Sequence, residues 1–127
     1  MSGFAELLHD AGFTVKGSDA NRSKITEHLQ SLGVEVLYGQ KSNNITSDID
    51  FVVYTAAIHP DNPEFRAAKE MGLPMMERAE MVGQVMKNYT NAIGVSGTHG
   101  KTTTTSMLTH IFLAAKKDPT ISVGGIL

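Results

Sequence analysis

Apolar residues recur along the chain at helical spacing in five stretches, with short unbroken apolar runs between them. Residues 2–11 place Phe4, Leu7, Leu8 and Ala11 on one helical face, and residues 22–32 place Ile25, Leu29 and Leu32 on another. Asn62 followed by Pro63 reads as an N-cap with proline in the first helical position, opening a helix that stops at Gly72. Residues 77–87 group Met81, Val82 and Val85, and residues 101–115 group Met107, Leu108, Ile111, Phe112 and Ala115. The runs Phe51–Tyr54, Ala92–Val95 and Ile121–Val123 predict short strands, the first of them buried on both faces.

One local unit recurs three times: a helical stretch, a glycine, an apolar residue and a short β-prone run. It stands at Gly12-Phe13-Thr14-Val15, Gly33-Val34-Glu35-Val36 and Gly72-Leu73-Pro74-Met75. Glycine just past a helix end supplies the left-handed backbone that stops the helix, and the next apolar residue folds back onto the last turn. Helix, glycine stop, short strand is the rhythm of an α/β fold around a parallel sheet. The polar stretch Lys87-Asn88-Tyr89-Thr90-Asn91 separates this pattern from the remainder of the chain, so residues 1–88 are expected to form one domain and residues 89–127 the beginning of a second.

Composition narrows the function classes. With 127 residues, 41% hydrophobic and 19% charged, the chain has the make-up of a globular protein. The formal net charge of −2 offers no basic excess for nucleic acid or a membrane surface, so neither is expected as a partner. The absence of cysteine removes disulfides and thiolate metal sites. No apolar run is long enough for a transmembrane helix, and the first residues lack the pattern of a signal peptide, so the expected compartment is the cytoplasm.

The most informative segment is Ile93-Gly94-Val95-Ser96-Gly97-Thr98-His99-Gly100-Lys101-Thr102-Thr103-Thr104-Thr105, which reads as strand, glycine-rich turn, Gly-Lys-Thr and helix. Glycines let the backbone close around phosphate oxygens, and the helix after them adds unsatisfied N–H groups and the positive end of its dipole. In such a loop Gly97, Thr98, His99, Gly100, Lys101, Thr102 and Thr103 would hold ATP, Lys101 would reach the β and γ phosphates, and the Thr102 hydroxyl would ligate Mg²⁺. The general phosphate-loop pattern asks for glycine at 95, where this chain has Val95. A turn that merely joins a strand to a helix is the alternative, and two features weigh against it. Four consecutive threonines are poor helix formers, yet they open a well-patterned helix. Lys101 also stands where a cation opposes the helix dipole, a conflict that a bound anion removes. His99 could lie over a nucleotide or face solvent. His9, His28, His59 and His110 show no metal-ligand spacing.

The loop Gly97–Thr105 resembles that of the muramyl ligase family, whose variant is G-T-x-G-K-[ST]. Other segments extend the likeness over nearly the whole chain. Gly17-Ser18-Asp19 stands after the expected second strand of that fold. Tyr54-Thr55-Ala56-Ala57-Ile58-His59-Pro60-Asp61-Asn62-Pro63-Glu64 and Glu77-Arg78-Ala79-Glu80-Met81 resemble stretches of the L-alanine-adding branch, and Asp118-Pro119-Thr120 and Gly124-Gly125 also fit.

The resemblance implies an α/β chain: a Rossmann-like parallel sheet with flanking helices for the UDP-bearing substrate over 1–88, lacking its first strand, then the start of a P-loop ATPase domain. It implies ATP-dependent joining of L-alanine to UDP-N-acetylmuramate through an acyl phosphate, in peptidoglycan synthesis, with ATP and Mg²⁺ as cofactors and Lys101 as the catalytic cation. Ser18 and Asp19 would read a ribose or base, and Thr55, Ala56, Ala57 and Ile58 would border the same crevice. Two plainer readings stay open at this stage: Ser18-Asp19 as a cap for the next helix, and Thr55-Ala56-Ala57 as an ordinary strand exit. The family's first strand and its glycine-rich loop would precede Met1, and the rest of the ATP domain and the amino-acid domain would come after Leu127, so this chain alone is expected not to ligate. The competing functions are murein peptide ligation and a non-catalytic nucleotide- or UDP-sugar-binding module.

Overall fold

The computed structural model describes residues 1–123; the Gly124-Gly125 pair of the family resemblance lies outside them. The elements run α1 (Ser2–Asp10), β1 (Lys16–Asp19), α2 (Lys24–Ser31), β2 (Glu35–Tyr38), a 3-10 turn (Ser42–Asn44), β3 (Val52–Tyr54), α3 (Pro63–Glu70), β4 (Met75–Glu77), α4 (Arg78–Met86) and α5 (Lys101–Ala114). They fall into two compact units, Met1–Asn88 and Tyr89–Leu127.

The three glycine stops form as expected. Gly12, Gly33 and Gly72 all have positive φ. Behind each, the next residue donates back five positions: Phe13 N to Leu8 O, Val34 N to Leu29 O and Leu73 N to Ala68 O, each 3.1 Å. This closes the helix end and turns the chain straight into a strand. A fourth helix, α5, ends with the same bond, Lys117 N to Phe112 O at 3.0 Å, but its left-handed position is Lys116 at φ 56°.

Because a helix separates each strand from its partner, the pairs are parallel. Residues Lys16 to Asp19 run beside Glu35 to Tyr38, and Val52 to Tyr54 run beside Met75 to Glu77. The expected parallel strands with flanking helices are therefore present, arranged as two two-stranded sheets. The core of the first pair is Leu29, Val34 and Val36, with Ala5, Val15 and Tyr38 against it and Phe4 buried on α1. On α3, Ala68 is fully buried.

Two expectations need correction. Phe51–Tyr54 is only half-buried, because β3 has a single strand neighbour, β4, among the described residues. The runs Ala92–Val95 and Ile121–Val123 form no strand. An extended segment becomes a strand only where a neighbour accepts and donates its backbone hydrogen bonds, and neither run finds one among the described residues. The strand–loop–helix unit is thus represented by its loop and helix.

Candidate functional site

In the first unit the sequence-selected residues sit where β1 and β3 give way to loops. Ser18 is half-buried near the end of β1, and Asp19 is its exposed last residue. The Asp19 carboxylate accepts from Asn21 N at 3.0 Å, a local turn of the kind short acidic side chains make. Neither residue caps α2. That role belongs to Ser23, whose hydroxyl accepts from Thr26 N while the Thr26 hydroxyl accepts from Ser23 N. After β3, Thr55 and Ile58 are half-buried, Ala56 and Ala57 are exposed, and Ile58 N closes a turn on Thr55 O at 3.0 Å.

No hydrogen bond joins Ser18 or Asp19 to Thr55, Ala56, Ala57 or Ile58 among the described residues. The residue that ties the β1 exit to the start of α3 is Glu64, which sequence reasoning left out of the site. Asn62 caps α3 as expected, accepting from Glu64 N at 2.9 Å and Phe65 N at 3.3 Å, and its amide donates to Gln40 Oε1. The cap places Glu64 in the first turn, with its carboxylate facing β1. Ser18 Oγ donates to Glu64 Oε2 at 2.5 Å, and Asn44 Nδ2 donates to Glu64 Oε1 at 2.7 Å. Asn44 Nδ2 also donates to Gly39 O at 2.9 Å, and Gly39 N donates to Asp19 O at 2.9 Å. One carboxylate therefore links the ends of β1 and β2 to the start of the helix that comes after β3. The signal in the sequence was Asp61-Asn62-Pro63-Glu64, read as a helix start and as part of the family resemblance but not as a source of a site residue.

Ligand crevices of parallel α/β sheets lie outside the carboxyl ends of the strands. The polar groups just described line such an end. A groove of about 230 Å³ elsewhere in this unit is lined by Phe51, Pro74, Met75, Met76 and Met81. Those side chains offer nothing to orient a polar ligand.

In the second unit Gly97 (φ 154°) and Gly100 (φ 80°) bend the chain into α5. Gly100 is the left-handed N-cap and brings no side-chain acceptor, and the first turn of α5 contains no acid. The opening N–H groups of the helix are thus left without side-chain partners, at its positive end. Thr98, His99, Lys101, Thr102 and Thr103 are all exposed, so His99 faces solvent. Lys101 Nζ folds back to donate to Gly97 O at 2.6 Å and Thr98 O at 3.4 Å, which holds the ammonium over the loop. Further along, Thr105, Ser106 and Thr109 turn their hydroxyls onto the carbonyls four residues back, each at 2.8 Å. Thr102 and Thr103 make no such bond, so their hydroxyls are open to a ligand.

Among the described residues no three His, Asp or Glu side chains gather as a metal site. A lone neutral Thr102 oxygen still suits Mg²⁺, which usually keeps several waters and takes one or two protein oxygens beside phosphate. No helix among the described residues is long and apolar enough to cross a membrane.

Comparison with known proteins agrees with this architecture. Residues 1–90 match the family model described as the Mur ligase family, catalytic domain. The chain is 62% identical over all 127 residues to a UDP-N-acetylmuramate–L-alanine ligase of Agathobacter rectalis, and 63% identical to that of Lachnospira eligens. It spans 28% of the length of each. Among solved structures, the UDP-N-acetylmuramate-alanine ligase of Thermotoga maritima superposes with a TM-score of 0.93 at 33% identity, covering 100% of this chain and 30% of that one. The UDP-N-acetylmuramate:L-alanyl-γ-D-glutamyl-meso-diaminopimelate ligase of Neisseria meningitides superposes at 0.91 and 30% identity, covering 99% and 40%. With a family model over most of its length and a matching fold, this chain belongs to the Mur ligase family.

Proposed function

We propose that this chain is the UDP-substrate-binding and phosphate-loop part of a ligase that joins L-alanine to UDP-N-acetylmuramate at the expense of ATP, in peptidoglycan synthesis. The observation that carries this reading is the 62% identity along the entire chain to a UDP-N-acetylmuramate–L-alanine ligase. In this reading residues 1–88 are the domain that takes the UDP moiety, with Ser18, Asp19 and Thr55 to Ile58 bordering it. Residues 89–127 begin the ATP domain, with Gly97 to Thr103 around the phosphates.

The chemistry asked of these residues is positioning and charge neutralisation. A carboxylate acylates an amine poorly, and phosphorylation by ATP gives it a leaving group, as an acyl phosphate that the amine of L-alanine then displaces. Lys101 would swing from the Gly97 carbonyl onto the β and γ phosphates, while the opening N–H groups of α5 hold the same oxygens. Mg²⁺, when bound, would screen phosphate charge, and Thr102 is the residue of this chain suited to hold it. No nucleophilic side chain is required.

The murein peptide ligases are the second reading, since one of them superposes almost as well. The curated relatives from Agathobacter rectalis and Lachnospira eligens favour L-alanine by their higher identity. Assaying the full-length protein that carries this segment with L-alanine against the L-alanyl-γ-D-glutamyl-meso-diaminopimelate tripeptide separates the two.

The binding reading is tested by heteronuclear NMR of this chain, titrated separately with Mg·ATP and UDP-N-acetylmuramate. Mg·ATP is expected to shift residues 97–105, and Lys101→Ala to weaken that binding at least tenfold, the loss of a charge-assisted bond to phosphate. UDP-N-acetylmuramate is expected to shift residues 18–19 and 55–58. A folded spectrum indifferent to both ligands would overturn the assignment of these residues.

A further inference from the structure

The Glu64 network sets a direction for one hydrogen bond, and that direction has a consequence for ligand choice. A carboxylate only accepts, so Ser18 must spend its single hydroxyl proton on Glu64 Oε2. What Ser18 presents to the crevice is then its lone pairs alone. The arrangement is locked from the far side. Asn44 Nδ2 has two hydrogens, and both are used, one on Gly39 O and one on Glu64 Oε1. Gly39 is itself tied to the end of β1 through its N–H to Asp19 O. Asn44 cannot reverse its amide without abandoning Gly39 O, and while it stays, Glu64 must offer it an oxygen.

We propose that Glu64 is a specificity-determining positioning residue that holds Ser18 as a hydrogen-bond acceptor, so that the crevice selects a ligand group that donates there, namely a ribose hydroxyl of a uridine nucleotide. This rests on the reading of the crevice as the UDP site.

Glu64→Gln is the sharp perturbation. The glutamine keeps size and shape, and its carbonyl oxygen must face Asn44, which places its NH₂ on Ser18. Ser18 then accepts from residue 64, and its proton is released toward the crevice. The site changes from acceptor to donor with the fold intact.

The test measures binding of uridine 5′-diphosphate and its 2′-deoxy-2′-fluoro and 3′-deoxy-3′-fluoro analogues, whose fluorine accepts weakly and cannot donate, to the wild-type chain, Glu64→Gln and Ser18→Ala, with a thermal melt of each. The wild type is expected to favour the full ribose over one of the fluoro analogues by about tenfold, the worth of one well-formed hydrogen bond donated to Ser18. That ratio is expected to fall to about one in both variants, with the Glu64→Gln melt unchanged. A merely structural Glu64 would leave the ratio alone. A Glu64→Gln or Ser18→Ala chain that still discriminates, or a wild type that binds all three equally, overturns the proposal while leaving the UDP site standing. A wild type that binds none of the three overturns both.

Discussion

Replacing Thr26 by valine is expected to cost far more than the loss of one surface hydroxyl. Thr26 is 4% exposed, at the third position of α2, and its hydroxyl serves three partners. It accepts from Ser23 N at 2.9 Å and from Tyr38 Oη at 3.0 Å, and it donates to Ser23 O at 2.9 Å. Valine keeps the branched shape, so no cavity opens, but all three bonds go. A typical bond of this kind contributes about 0.5–1.5 kcal/mol net, and a buried group left without a partner costs about 1–3 kcal/mol. The Tyr38 hydroxyl has Gln30 Oε1 at 3.4 Å as a substitute, and Ser23 is exposed to water, which reduces both penalties. A loss of about 2 kcal/mol results, or roughly 10 °C in melting temperature for a unit of this size. Urea denaturation followed by far-UV circular dichroism measures it. Tyr38→Phe alone is expected to cost about 1 kcal/mol, and almost nothing on top of Thr26→Val, because the bond it removes is already gone. A Thr26→Val cost below about 0.5 kcal/mol, or strict additivity of the two changes, would refute the three-partner account.

The backbone and the core supply two further tests. Lys116 holds the left-handed position that ends α5, at φ 56°, so Lys116→Gly is expected to stabilise the helix end by about 1 kcal/mol, read as slower amide exchange in residues 111–117. Ala68 is fully buried on α3, and Ala68→Leu is expected to destabilise the first unit by about 1–3 kcal/mol through overpacking, with an unchanged or raised denaturation midpoint counting against it.

The parts of the fold that were legible in advance are local. Gly12, Gly33 and Gly72 end helices because an L side chain resists positive φ, a constraint within one residue. Asn62-Pro63 opens α3 because the cap reaches only two and three positions ahead. The capping box at Ser23 went unread because the familiar signature has Glu or Gln three positions on, where this chain has threonine. The strand expected at Ala92–Val95 shows the opposite limit. Its apolar run satisfies the local pattern, yet a strand is a pairing, and the pattern says nothing about whether a neighbour is there to pair.

The candidate site divides along the same line. Gly97 to Thr103 stood out because phosphate loops are contiguous, so residue type and spacing carry the chemistry. Glu64 did not, because Ser18 lies 46 positions away and Asn44 lies 20. Their meeting depends on a helix placed after β3 against the ends of β1 and β2. By itself, the sequence determined the helices and their stops, the parallel α/β rhythm, the glycine-rich segment proposed as a phosphate loop and the family resemblance, all of which rest on near neighbours or on residue order. Only the tertiary structure decided which strands pair, how far each apolar run is buried, and which carboxylate holds Ser18. Those are properties of packing between segments distant in the chain, and no local propensity encodes them.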